Sequence, residues 1–153
     1  MPDTPRKPSL GTAVMYRDPF RALDWLEKAF GFERTLVVTD SEGNLGHSQM
    51  NFGNGYIMVA SEWADWTASP ASVGGRNTQF IHVHLEKDID GHCERARKAG
   101  AEILQEPEDQ FYGDRTYRAR DFEGHVWTFG QTVKQVSREE MEKQSGLKIE
   151  GWA

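Results

Sequence analysis

The chain has 153 residues, 37% of them hydrophobic and 11% aromatic, and a formal net charge of -6. That is enough apolar material to bury one domain's core, which excludes a disordered chain, and the acidic balance without a dense Lys/Arg block excludes a nucleic-acid partner. Cys93 is the single cysteine, which excludes an intrachain disulfide and a cysteine-based zinc cluster.

Residues 1–10 hold three prolines and mixed charges and read as a loose arm, without the apolar run of a signal peptide. No segment approaches ~18 continuous apolar residues, so no membrane partner and a cytoplasmic location are expected. "GTAVMY" follows as a strand. Asp18-Pro19 then starts a helix, a capping carboxylate before a proline in the first turn. Phe20, Leu23, Leu26, Ala29 and Phe30 recur at helical spacing, and Gly31 supplies a left-handed cap. "ERTLVVTD", "LGHSQMNF" and "YIMVAS" read as three strands separated by the turns "SEGN" and "GNG". A second series follows: the strand "FIHVHLEK", the helix "DIDGHCERARKAGAE", then the strands "AEILQE", "TYRARD" and "HVWTFG".

The two series match at an offset of 69 residues. Gly31 falls on Gly100, Glu33 on Glu102, Gly55 on Gly124, Val14 on Val83 and Ile57 on Val126. A constant offset joining glycines at element ends to apolar strand positions points to a duplicated β-α-β-β-β module. The modules are expected over residues 11–61 and 79–133 of a single α+β domain spanning 11–133. Residues 62–78 link them. In that linker Trp63 and Trp66 either anchor a long crossover or cover a ligand. Residues 134–153 form a C-terminal helix and tail. Ser137 and Glu140 have capping-box spacing, Gly146 stops the helix, and Leu147, Ile149 and Trp152 are expected to dock on this chain or on a partner.

His82 and His84, two apart in a strand, share a face with Phe80, while Ile81, Val83 and Leu85 fill the other. Such a pair can chelate a metal, with His47 or Gln49 as the only available third donor. It can also shuttle protons near neutral pH, or hydrogen-bond a ligand, water or other strands. His92 and His125 read as surface residues, and Cys93, sharing a helix face with Ile89 and Ala96, as a buried apolar group. Arg115 in "YGDRTY" either clamps an anion or pairs with Asp114 or Asp121, and Tyr112 packs in a turn or sits at a site's rim.

The duplicated modules, with "DPFRALDWLEKAFGFE" early and "YGDRTYRARDFEGHVWTFGQ" late, resemble the vicinal oxygen chelate superfamily of glyoxalases, extradiol dioxygenases and bleomycin-resistance proteins. The resemblance covers about residues 10–132 and rests most on "DFEG" before "HVWTF". It implies a curved, incompletely closed mixed sheet around a concave cavity, with the helices outside. It also implies metal ligands at the start of each module's first strand and the middle of its last, positions that fall on Gly11, Val59, Phe80 and Thr128. Only Thr128 carries a donor, and a weak one, so no metal cofactor is expected. Strand parity turns His47, Gln49 and Asn51, and Thr116, Arg118 and Arg120, toward the cavity.

The expected function is metal-independent binding of a planar or aromatic small molecule by a bleomycin-resistance-like homodimer. Trp63, Trp66 and Phe80 would stack on the ligand, with His47, Gln49, His82, His84, Tyr112, Arg115 and Arg118 around it. The alternative is a lyase, isomerase or dioxygenase holding one divalent metal on His47, His82 and His84. A third class is an interaction module whose cavity is filled by its own side chains.

Overall fold

The computed structural model describes residues 7–151. They form two compact units, which divide after Arg76.

In the first unit, β1 (Thr12–Tyr16) leads into α1 (Pro19–Phe30), followed by β2 (Glu33–Thr39), β3 (Leu45–Phe52) and β4 (Gly55–Ser61). The strands form one mixed sheet in the order β1-β4-β3-β2, with β1 parallel to β4 and the other pairs antiparallel. The helix ends follow from local chemistry. The Asp18 carboxylate accepts the Arg21 N–H at 3.2 Å, and Gly31 closes α1 at φ 83°, a conformation a side chain would resist. The buried stripe of α1, with Leu23, Leu26 and Phe30 fully inaccessible, seals one sheet face together with Val14, Tyr16, Met50 and Val59. Burying each large side chain contributes roughly 1.5–3 kcal/mol. Alternation then leaves Met15, Tyr56, Met58, Gln49, His47, Leu36 and Val38 on the open face.

The second unit repeats the plan. It contains β5 (Ile81–His84), α2 (Ile89–Lys98), β6 (Glu102–Asp109), β7 (Asp114–Arg120), β8 (Val126–Thr132) and α3 (Arg138–Ser145). The sheet order is β5-β8-β7-β6, with β5 parallel to β8. Its helix-covered face holds Val83, Tyr117, Ala119, Trp127 and Phe129, all buried, with Cys93 and Ala96 from α2. Ser137 caps α3 by accepting the Glu140 N–H, and Gly146 ends it. Leu147 is exposed and Ile149 half-buried; Trp152 lies outside the described residues, as do residues 1–6 of the N-terminal arm.

The 69-residue offset holds through β1/β5 and β3/β7 and fails in the last strands. Thr12 pairs with Ile57 while Ile81 pairs with Trp127, so β4 and β8 correspond at 70 residues. The cause is turn length. Four residues, 52–55, separate the paired Asn51 and Tyr56, whereas five, 121–125, separate the paired Arg120 and Val126. Two expectations are thereby corrected. Ile57 matches Trp127 rather than Val126, and the counterpart of Thr128 is Met58 rather than Val59, which is fully buried on the helix side.

The longer turn is tied by one carboxylate. Asp121 Oδ1 accepts the N–H groups of Glu123 and His125 at 3.0 and 2.9 Å, and Oδ2 accepts the indole N–H of buried Trp127 at 3.1 Å. Asp121→Ala strands all three donors. It should lower unfolding free energy by about 3 kcal/mol in urea titrations, with Asp121→Asn losing less because its carbonyl oxygen still accepts.

Candidate functional site

The open face of the second sheet gathers four of the ten site residues singled out from the sequence. His82 and His84 project from β5 beside Phe80, and all three are exposed, Phe80 at 55%. Phe80 itself precedes the strand, which begins at Ile81. His82 lies opposite Thr128 on β8, Thr128 opposite Arg118 on β7, and Arg118 opposite Gln105 on β6. Partners in register share a face, so these four side chains form a row across the sheet. The next row begins with His84 and Gly130 and continues to Thr116. Gly130 is the gap over which the His82 imidazole lies, for a Cβ there would come within 3.2 Å of His82 Nε2.

Arg118 organises this face. Its Nε donates to Thr128 Oγ1 at 3.0 Å, and its guanidinium carbon stands 5.7 Å from the Phe80 ring centroid. Thr116 is buried beneath two amides, accepting at Oγ1 from Gln105 Nε2 at 3.2 Å and Gln110 Nε2 at 3.0 Å. Tyr112, in the turn before β7, packs edge-on against Phe111. Burial and the nearby Asp114 charge raise its phenol above the ordinary range, and Arg118 opposes that rise.

Arg115 has the other parity. Its Nε donates to Asp90 of α2 and its Nη1 to Asp109, opposite it on β6, each at 3.0 Å. It therefore pairs with neither Asp114 nor Asp121, and its guanidinium is committed away from the His82 face. His47, Gln49, Trp63 and Trp66 belong to the first unit. His47 is exposed opposite Val38, and Gln49 is half-buried opposite Leu36. Trp63 and Trp66 meet edge to face at 4.9 Å and remain 62% and 73% exposed. They do not anchor a core. Their loop is ordered instead by Thr67, whose hydroxyl donates to Ala64 O, and by Glu62, which accepts the Ser69 N–H.

The four positions at which the resemblance implies metal ligands, corrected for register, are Gly11, Met58, Phe80 and Thr128. Three lack an oxygen, nitrogen or thiolate donor. A Cβ on Gly11 would meet the Tyr56 ring at 2.2 Å, and Lys7 Nζ lies 5.4 Å from that ring's centroid. Thr128 is engaged by Arg118. A hydroxyl beside a guanidinium and three non-donors do not fit a divalent cation. Among the described residues no three His, Cys, Asp or Glu side chains are grouped to hold a metal ion.

One polar contact escaped the sequence reading. His92 is not a surface residue. Its Nδ1 is 2.5 Å from the buried Tyr117 hydroxyl, and its ring lies 4.5 Å from Phe129. The available signal was helical: His92 stands three residues after Ile89 and four before Ala96, on the flank of the buried stripe. Its neighbour Cys93 is fully buried, and desolvation pushes its thiol from 9.0 up to about 11.

The fold and the site's register now stand beside known proteins. The family model described as the Glyoxalase/Bleomycin resistance protein/Dioxygenase superfamily matches residues 11–129. The chain belongs to this superfamily. TioX from Micromonospora sp. ML1 superposes with a TM-score of 0.66 at 35% identity, over 81% of this chain and 98% of that one. FosX from Listeria monocytogenes, a fosfomycin resistance protein solved with Mn(II) and sulfate, gives a TM-score of 0.58 at 16% identity. That match covers 91% of this chain and 98% of that one, and it speaks for the fold alone. A Mycobacterium bovis protein is 29% identical over 141 residues, covering 89% of this chain and 91% of its own length.

The Cys93 environment gives two readouts. At pH 8 the native thiol should resist iodoacetamide and react only after unfolding. Because the folded thiol holds its proton more tightly than the unfolded one, its stabilisation is complete below pH 9.0 and is lost as pH rises toward 11. The displacement bounds the loss at roughly 3 kcal/mol, and in urea titrations at pH 8 and 10.5 Cys93→Ala should show a smaller decline than the native chain.

Proposed function

We propose that this superfamily member is a metal-independent small-molecule-binding protein whose ligand is planar or aromatic. The observation that carries the reading is the exposed Phe80 ring, beside a guanidinium on the sheet face that also bears the His82 and His84 imidazoles. Aromatic surface beside convergent polar donors is the usual chemistry of a ligand face. The lack of fit between a metal ion and Gly11, Met58, Phe80 and Thr128 supports metal independence. No helix of the described residues is long and apolar enough to cross a membrane, and the reading is of a cytoplasmic homodimer meeting a diffusible ligand. The exposed Leu147 at the chain's end supports a partner contact there.

The competing reading is a metal-dependent lyase, isomerase or dioxygenase using an unusual His-centred site. It is favoured by the adjacent imidazoles of β5, and elemental analysis of purified protein separates the two. No stoichiometric metal is expected. About one Zn, Mn, Fe or Ni per chain, lost in His82→Ala/His84→Ala, would overturn metal independence.

Ligand binding is checked by thermal melting against a set of planar aromatic compounds. A compound at about a hundred times its Kd stabilises by about 2.7 kcal/mol, a rise of roughly 5–10 °C for a chain of this size. Phe80→Ala should lose most of that rise while keeping its own ligand-free Tm within about 2 °C, since an exposed ring contributes little to the core. A set that moves no melting temperature would favour a face with no ligand.

A further inference from the structure

Among the described residues three arginines are half-buried, and two of them are held by acids. Arg115 is clamped by Asp90 and Asp109, and Arg120 by Glu102. Arg118 has no carboxylate partner among the described residues, although acids outnumber Lys and Arg by 24 to 18. Its Nε is spent on the neutral Thr128 hydroxyl, its face lies by Phe80, and both terminal nitrogens remain without an acceptor among the described residues. A guanidinium drawn partly out of water without a counter-charge carries a desolvation cost that an anion would offset. The Thr128 bond fixes its plane, which leaves the Nη1/Nη2 edge as a two-donor fork matched to a carboxylate.

The surroundings offer further donors. His82 stands opposite Thr128 in the same row, and neither His82 nor His84 has a hydrogen-bond partner among the described residues, so both imidazoles are available as donors. Phe80 and Thr128, the two side chains that Arg118 touches, are also the second-module positions at which the resemblance implies metal ligands. The Arg118 guanidinium thus stands where the resemblance would place a cation.

Resting on the small-molecule reading above, we infer that the ligand is a planar acid: its carboxylate takes the Nη1/Nη2 edge of Arg118 and its ring lies against Phe80. Arg118 is thus the group that selects ligand charge.

The test is calorimetric titration of the full chain with matched pairs, 1- and 2-naphthoate against 1- and 2-naphthamide. The native chain should bind an acid at least about tenfold more tightly than its amide. Arg118→Met should erase that preference by weakening the acid alone, Arg118→Lys should retain part of it, and Arg115→Met, altering the other face, should leave it intact. Thr128→Val keeps the side-chain shape but frees Nε; it should weaken the acid several-fold without affecting the amide, and it serves if Arg118→Met does not fold. Equal affinities for acid and amide in the native chain, or a preference that survives Arg118→Met, would overturn the inference while leaving the aromatic reading standing. Failure of all four compounds to bind would overturn both.

Discussion

The Asp121 carboxylate is the fastening on which the open face of the second sheet depends. By binding two backbone N–H groups of the 121–125 turn and the Trp127 indole, it holds a five-residue connection between β7 and β8 and anchors β8 by its largest buried side chain. Trp127 inward means Thr128 outward, since a one-residue slip would exchange the faces. The Arg118–Thr128 bond, the row through His82 and the gap at Gly130 all inherit that choice. The turn therefore decides which side chains the open face presents.

The same duplication yields two open faces of different chemistry. On the first sheet the register places Met15, Tyr56, Met58, Leu36 and Val38 outward, with Gln49 and His47 as the polar members. On the second it places His82, His84, Thr128, Arg118 and Arg120 outward. The helix-covered faces diverged less. Val14 and Val83 keep matching places, Met50 and Ala119 are both fully buried, and larger aromatics stand in β8 where Ile57 and Val59 stand in β4. Cores tolerate apolar exchange when volume is conserved, whereas an open face is free to change polarity without endangering the fold. The two modules share a scaffold and differ at the open surface.

Much of the fold was legible because alternation and capping are local. The parity of "FIHVHL" places Phe80, His82 and His84 together, and Asp18, Gly31, Ser137 and Gly146 mark helix ends without tertiary information. The register of the last strands was not legible in this way. Aligning Gly55 with Gly124 treats both as turn glycines, yet the positive-φ glycines are Gly53 and Gly124, at 53° and 94°. Two turns of unequal length were matched through residue identity instead of backbone conformation, and the error carried Val59 onto the wrong face. Arg115 failed for a related reason. Its acid partners, Asp90 and Asp109, lie 25 and 6 residues away, and only the folded sheet brings them to it.

Arg115 and Arg118 show why residue type alone could not name the site. They are three apart on one strand, so the pleat sends them to opposite faces. Arg115 meets two carboxylates at the helix-covered face, and such partly exposed pairs contribute little beyond order. Arg118 meets a hydroxyl and an aromatic ring, partners that orient a guanidinium without neutralising it. Charge satisfied by the protein is structure, and charge oriented but left unsatisfied is recognition. By that criterion the proposed ligand reading rests on the face bearing Arg118, and not on the one bearing Arg115.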